Sequence, residues 1–588
     1  MLIHVCLLIR SARVHTPVVD EVGHLAAGLS HWHLHRLDLY CVNPPLVRAV
    51  ATLPAAISGE PIDFTGYRAH PRYRPEFLLG MRWMNEHPDR ILPMFTLARW
   101  ACVPFSVLGA VVCFLWARDL YGSSGGLVSL CLWCFSPTII GHASLLTPDT
   151  GAAATGAAAC YAFMRWMNSP GLHRALTAGV FLGLALLTKF TWMILPGICS
   201  FWWLVLPWVH RNRRAYADGS HHGSTSSAHR IASAAVFRPH RSGVASLFLI
   251  LLTGWCVLNN GYLWEDTFCR LGDFDFSSTS LGGREAHLHS DSGGNRFRGT
   301  VMENIPVPVP RNYLQGIDHI KFEYEAGKLS YLRGEKKHGG WWYYYLYAML
   351  IKIPAGTLTL VAISGVLFLR QTFCAPAGST GGSPPTLLIH ELYLLCPAIA
   401  VIWLVSAQTG FNHHLRYVLP AFPFLFIFGG RTAELFRSAR FFRRALPVLL
   451  LAASMLSSLS NYPHGLSYFN ELIGGSANGW QHLDYSNVDW GQDLLLVKEW
   501  VNDHPDATPL YISSVGYLNP DLLGIPSEPL GWPGKSSEPG AVGQIRPGWY
   551  IVSLTRLVDP HEPIHVLIGE EPVDRIGYSM HVFHIAPP

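Results

Sequence analysis

The sequence predicts a mainly α protein: a polytopic transmembrane helical bundle of about 10–11 spans that ends in a small mixed α/β segment. Three observations predict it. Only 14% of the 588 residues are charged while 50% are hydrophobic, against about 25% charged in an ordinary soluble domain. A chain this long with so few charges cannot cover its surface with polar groups, so much of that surface must face lipid. Long apolar runs recur along the chain, and the arginines fall almost entirely on alternate connections between them. The same figures exclude a disordered chain, which needs low hydrophobicity and high charge. Lys and Arg number 43 against 39 Asp and Glu, a net charge of +4, and no basic face is concentrated enough to suit nucleic acid. The 12 cysteines sit mostly in apolar runs, as Cys131, Cys134, Cys160 and Cys256 do, and read as small buried hydrophobes.

Apolar runs of spanning length lie near 92–116, 125–141, 150–167, 174–188, 191–209, 243–264, 344–369, 387–406, 414–430 and 445–460. The stretch 174–209 is one long helix or two short ones broken at Lys189, and charge decides. With two crossings, fifteen arginines, from Arg118 to Arg444, share one set of connections. The short loops opposite keep only Lys189 and Arg416. Cytoplasmic loops are the ones enriched in Lys and Arg, so the arginine side is cytoplasmic and three large segments lie outside. The expected divisions follow: 1–90, a partial first span plus the first outer loop; 91–264, helices with a basic cytoplasmic loop at 210–242; 265–343, an outer loop; 344–460, helices; and 461–588, an outer C-terminal segment. The opening MLIHVCLLIR closes at Arg10, too soon for a span, so part of a first span is expected upstream of it.

Charges at outer span ends suggest the chemistry. They are Asp20 and Glu21 after the first apolar stub, Asp149 between two spans, Lys189, Lys352, and His413, His414 and Arg416 in FNHHLRYVLP. Ionisable groups at membrane depth are costly and default to function. A carboxylate can take a proton from an acceptor hydroxyl, and cations, Arg above all, can hold a phosphate at the lipid boundary. Together they describe sugar transfer from a lipid phosphate.

Ordered motifs sharpen this. Asp20-Glu21 is followed by Asn43-Pro44-Pro45-Leu46, Ala98-Arg99-Trp100, Ala117-Arg118-Asp119-Leu120-Tyr121-Gly122, Ser136-Pro137, His142-Ala143-Ser144 and Thr147-Pro148-Asp149. Gly183-Leu184-Ala185, Thr188-Lys189-Phe190, Trp341-Trp342-Tyr343-Tyr344, Lys352-Ile353-Pro354 and Arg416-Tyr417-Val418-Leu419-Pro420 come after. Spread from residue 20 to about 430, the set resembles the GT-C superfamily of integral membrane glycosyltransferases, nearest the bacterial protein O-mannosyltransferase-like and aminoarabinose-transferase-like groups. The resemblance implies a hexosyl- or pentosyltransferase of the bacterial inner membrane, with its active site on the extracytoplasmic face. Its donor would be a polyprenyl-phosphate sugar, and its acceptor a protein, lipid or glycan that the sequence does not choose between. Asp20 would be the general base of an inverting displacement. Glu21 and Asp149 would support it through substrate hydroxyls or, in some relatives, a divalent cation. Arg416 would hold the donor phosphate with Lys352 or Lys189, and His413 and His414 lie beside it. This chain departs from the pattern at Asn43, where many relatives carry His before the Pro pair. Asn43 is left as a hydrogen-bonding contact to acceptor or sugar.

The tail carries its own run, Asp484-Tyr485-Ser486-Asn487-Val488-Asp489-Trp490-Gly491-Gln492-Asp493-Leu494. It reads first as a helix start, with Asp489 capping and Asp493 in the first turn. It reads second as a sugar contact through Asp489 and Trp490. The alternating His31, His33 and His35 lack an acidic or Cys partner, so no metal site is expected. The competing reading is a transporter-like or non-catalytic membrane protein. A transporter tends to show internal repeats and charges at midplane, whereas these charges gather at one side.

Overall fold

The computed structural model describes residues 1–67, 74–206, 241–283, 286, 293–373, 384–530 and 545–587. The basic loop expected at 210–242 lies almost wholly outside them. The fold is mainly helical, with a small sheet near the C-terminus. Helix α1 (Leu2–Val14) meets α2 (Val19–His33) at a 98° bend, and α3 (Leu46–Ile57) and α4 (Glu76–Glu86) follow. The bend is held from the side. Arg99 forks onto Glu21 at 2.8 and 2.6 Å and donates to the carbonyls of Ala12, His15 and Thr16. All five guanidinium donors are thereby used. Glu21 also accepts from the backbone N–H groups of Val18 and Leu146. One buried ion pair thus satisfies a carbonyl in the last turn of α1, two carbonyls of the connection and the N–H that opens α2, groups that would otherwise stay unpaired inside the protein.

The expected span pair 92–116 and 125–141 is one helical assignment, α5 (Ile91–Cys134), folded back at Gly122. Gly122 has φ +81° and ψ 177°, a backbone that only glycine adopts without strain. The arms lie so close that a Cβ on Gly109 would stand 2.1 Å from the Trp133 ring, and the Trp133 indole donates to the Ser106 carbonyl. After the short α6 (Pro137–Ala143) comes α7 (Pro148–Asn168), 21 residues and nearly all buried. Its Ala/Gly run lets Trp192 pack on Gly156 and donate to the Ala152 carbonyl at 2.7 Å. Helix α8 (Leu172–Leu186) stops before an extended Lys189, and α9 (Phe190–Leu206) resumes beyond it, so the 174–209 stretch is broken where the charge stands.

Helix α10 (Arg241–Gly261) packs along α8. Then come α11 (Arg311–Ala326), the hairpin β1 (Leu329–Leu332) and β2 (Glu335–His338), α12 (Tyr344–Lys352), α13 (Ala355–Phe373), α14 (Pro384–Ser406), α15 (Phe422–Gly429) and α16 (Phe441–Ser460). By length and composition, five described helices can cross a membrane, or six with the bent α1–α2 pair. That is fewer than the apolar runs promised. Within the described residues α8 and α9 are 15 and 17 residues long, and α7 is small-residue rich and enclosed by protein. The chain is an integral membrane protein.

The tail holds α17 (Leu494–Asp503) and a four-stranded sheet of β3 (Leu510–Ser513), β4 (Gly548–Ser553), β5 (Asp574–Ile576) and β6 (Met580–Ile585). The strand order is β3-β4-β6-β5, with β3 and β4 parallel and the other pairs antiparallel. The tail is stitched into the bundle. Thr16 N–H donates to the Gln492 carbonyl and Val19 N–H to the Trp490 carbonyl. Leu415 N–H donates to Asn487 Oδ1, and Lys352 donates to the carbonyls of Leu466 and Asn487.

Candidate active site

Asp20 is the second residue of α2 and Asp149 the second of α7. A carboxylate in the first turn of a helix faces the positive end of the helix dipole and is favoured as an anion. Arg416, opening the 3₁₀ stretch Leu415–Ala421, bridges the two. Its Nη2 lies 2.9 Å from Asp20 Oδ2 and its Nη1 3.4 Å from Asp149 Oδ2. Lys189, freed by the break between α8 and α9, closes the chain at 2.6 Å from Asp149 Oδ1. Lys189 Nζ also reaches the Arg416 carbonyl at 3.4 Å. The result is a line of alternating charge, Asp20, Arg416, Asp149, Lys189, drawn from four distant parts of the sequence. Asp149 is fully buried, whereas the Asp20 side chain keeps 16% of its exposure, so of the two carboxylates on Arg416 it is Asp20 that an incoming group can reach.

The line edges a cavity of about 430 Å³, within the usual range for a small-molecule site. Asp20, Asn43, Asp149, Lys189, His413, His414 and Arg416 all border it. The structure therefore brings together seven of the residues singled out from sequence. Of the two histidines, His413 Nε2–H donates to the Leu329 carbonyl at 2.5 Å, and His414 Nδ1 hydrogen-bonds the Ser486 hydroxyl at 2.6 Å.

Four of the expected residues stand elsewhere. Glu21 turns away from the cavity and is consumed by Arg99 and two backbone N–H groups. Lys352 is buried on the carbonyls of Leu466 and Asn487 at 2.5 and 2.6 Å, so it fastens the tail and reaches no phosphate in the cavity. Asp489 neither borders the cavity nor caps a helix. Its Oδ1 accepts from Gly491 N–H and its Oδ2 from the Ser553 hydroxyl, and α17 starts five residues later. Trp490 is 4% exposed, with the Arg416 guanidinium carbon 4.2 Å from its ring centroid. The face expected to stack on a sugar is covered by a cation.

Sequence reasoning missed Arg74, Glu323 and Lys328, which form a second charged group on the same cavity. Arg74 lies 2.8 Å from Glu76 and 4.0 Å from Glu323, with its guanidinium over Tyr40 and Phe77. Lys328 lies 3.2 Å from Glu323. Burial pushes the Glu323 carboxyl up, but Lys328 and Arg74 outweigh it and hold it below its usual range. The one available signal was their charge in otherwise unremarkable loop and helix. In all, Arg74, Lys189, Lys321, Lys328 and Arg416 face Asp20, Asp149 and Glu323 around the cavity, an excess of two cations. Among the described residues, no group of three or more His, Cys, Asp or Glu is arranged to hold a metal ion.

Residues 94–219 match the family described as dolichyl-phosphate-mannose-protein mannosyltransferase, in agreement with the resemblance drawn from the motifs. The matched stretch starts within α5 and contains Asp149 and Lys189, with Asp20 and Arg416 outside it. Comparison with curated proteins finds no match. Among solved structures, ArnT from Cupriavidus metallidurans bound to undecaprenyl phosphate is similar at 13% identity and a TM-score of 0.40, covering 100% of this chain and 98% of its own. The Saccharomyces cerevisiae protein O-mannosyltransferase Pmt1–Pmt2 complex bound to the sugar donor is similar at 11% identity and a TM-score of 0.44, covering 78% and 89%. The Archaeoglobus fulgidus oligosaccharyltransferase in complex with zinc and sulfate is similar at 11% identity and a TM-score of 0.38, covering 79% and 55%.

Proposed function

We propose that the chain is a membrane glycosyltransferase that moves a sugar from a polyprenyl-phosphate donor to an acceptor hydroxyl, with the cavity on the extracytoplasmic face of a bacterial inner membrane. The excess of two cations lining a cavity in which Asp20 stands part-open beside Arg416 carries the reading. A phosphodiester donor brings one negative charge, and the polyprenyl phosphate that leaves carries nearly two. Fixed cations aimed at charge that grows during reaction stabilise the transition state more than the ground state.

The acceptor oxygen attacks the anomeric carbon from the face opposite the phosphate and loses its proton to Asp20. The bond from the anomeric carbon to the phosphate oxygen breaks, and its electron pair leaves with the phosphate. Arg416 and Lys189 take up the new charge. Asp149, buried between them, keeps both cations in place and stays clear of the proton transfer. The description of the family matching 94–219 names a dolichyl-phosphate-mannose donor, and that supports the donor class. Asp20→Asn tests the reading. In proteoliposomes supplied with polyprenyl-phosphate sugar, transfer should fall about 10²–10⁴-fold with unchanged expression. Full transfer by the variant would remove Asp20 from the chemistry.

A further inference from the structure

The run Asp484–Asp493 touches the site at both of its principal charges. Val19, the residue before Asp20, donates its N–H to the Trp490 carbonyl at 3.1 Å. Leu415, the residue before Arg416, donates its N–H to Asn487 Oδ1 at 3.0 Å. Between these two bonds the Trp490 ring lies under Arg416, its centroid 4.2 Å from the guanidinium carbon. Trp490 is buried, with His142 and His414 ring centroids 6.4 and 6.2 Å away. Its outer face has no room for a substrate ring, and its guanidinium face is taken.

We propose that Trp490 is a positioning residue: a C-terminal side chain whose ring seats the Arg416 guanidinium, at the distance from Asp20 that phosphate capture and proton removal require. A guanidinium stacked on an indole keeps its in-plane N–H donors pointing outward, because the ring occupies its face and not its edge. Arg416 can then exchange an Asp20 oxygen for a phosphate oxygen without leaving its seat. Asn487 works with Trp490, fixing the backbone from which Arg416 springs. The inference rests on the reading that Arg416 holds the donor phosphate, but the shelf itself can be tested without any ligand.

The variants are Trp490→Phe, which keeps an aromatic face, and Trp490→Leu, which keeps apolar bulk and loses it. The first readout is phenylglyoxal modification of Arg416 in detergent-solubilised protein, followed by peptide mass spectrometry. Trp490→Leu should raise its rate about tenfold or more, a loss of the size expected for a desolvated cation–π contact, and Trp490→Phe should stay within about threefold of wild type. The second readout is binding of undecaprenyl phosphate, measured well below the melting temperature of each variant, which Trp490→Leu should weaken by a similar factor and Trp490→Phe much less. Equal Arg416 reactivity in wild type and Trp490→Leu overturns the proposal, as does an equal increase in both variants. If wild type binds no polyprenyl phosphate, the donor reading fails while the reactivity series still decides the shelf.

Discussion

Asp20 and Glu21 are neighbours in sequence with opposite duties, and burial separates them. Asp20 faces the cavity with part of its surface open. Glu21 is buried under the Arg99 fork. Removing one member of a buried charge pair costs about 3–5 kcal/mol, because the other is left uncompensated. Glu21→Gln should therefore lower the melting temperature sharply, whereas Asp20→Asn, at a part-open site where Arg416 keeps Asp149 as a partner, should lower it less and lose transfer. A Glu21→Gln protein that melts normally but transfers no sugar would place Glu21 in the chemistry after all. At this scale the sequence was legible where charge met a span end: Asp20, Asp149, Lys189 and Arg416, singled out that way, all border one cavity. It misled where the same signal had a structural cause. Lys352 and Glu21 are also charges at apolar boundaries, and only their partners reveal that one fastens the tail and the other braces a bend. Arg74 and Glu323 stayed hidden because no motif or hydropathy change marks them.

At the scale of the element, hydropathy found the α5 hairpin and the break at Lys189, since a lipid-facing run must be apolar and a charge interrupts it. Its run at 150–167 corresponds to α7, which is clothed by protein. The tail run was the harder element. Its Asp and Asn residues suggested a helix start, yet the side chains serve turns that lock the run between α1–α2 and the 412–416 loop. Asp489 reports on that lock. Burial, opposed by the Ser553 hydroxyl and Gly491 N–H, pushes its carboxyl up to about 7, against an unfolded value near about 3.9. A raised carboxyl favours the folded state while protonated. Its contribution is full below about pH 4 and is lost as pH rises through about 7. Wild type should thus lose melting temperature from pH 5 to 8, and Asp489→Asn, neutral throughout, should show a flatter profile. A variant profile as steep as wild type would assign the slope to another group.

At the scale of the molecule, the bundle and its tail form one assembly around the site. The bundle supplies Asp20, Asp149, Lys189 and Arg416, and the tail supplies Trp490 and Asn487. Lys352 is one of the fasteners, and Lys352→Met should release residues near 461–490. Limited proteolysis should then cut that region about tenfold faster, with the spans still protected; wild-type cleavage would mean that the remaining bonds suffice. This partnership was invisible in the sequence, where a polar, proline-rich tail after the last apolar run looks like a separate unit. It also has a consequence for how the protein is made. The Thr16 hydroxyl bonds the Gly491 carbonyl across 475 positions of chain, so a ribosome delivers the first half of that contact long before the second. Until the tail emerges, Val19 and Leu415, the neighbours of Asp20 and Arg416, lack their partners in it. A nascent or prematurely ended chain can thread its helices through the bilayer and still lack the Trp490 and Asn487 contacts beside Asp20 and Arg416, which arrive only with the last fifth of synthesis.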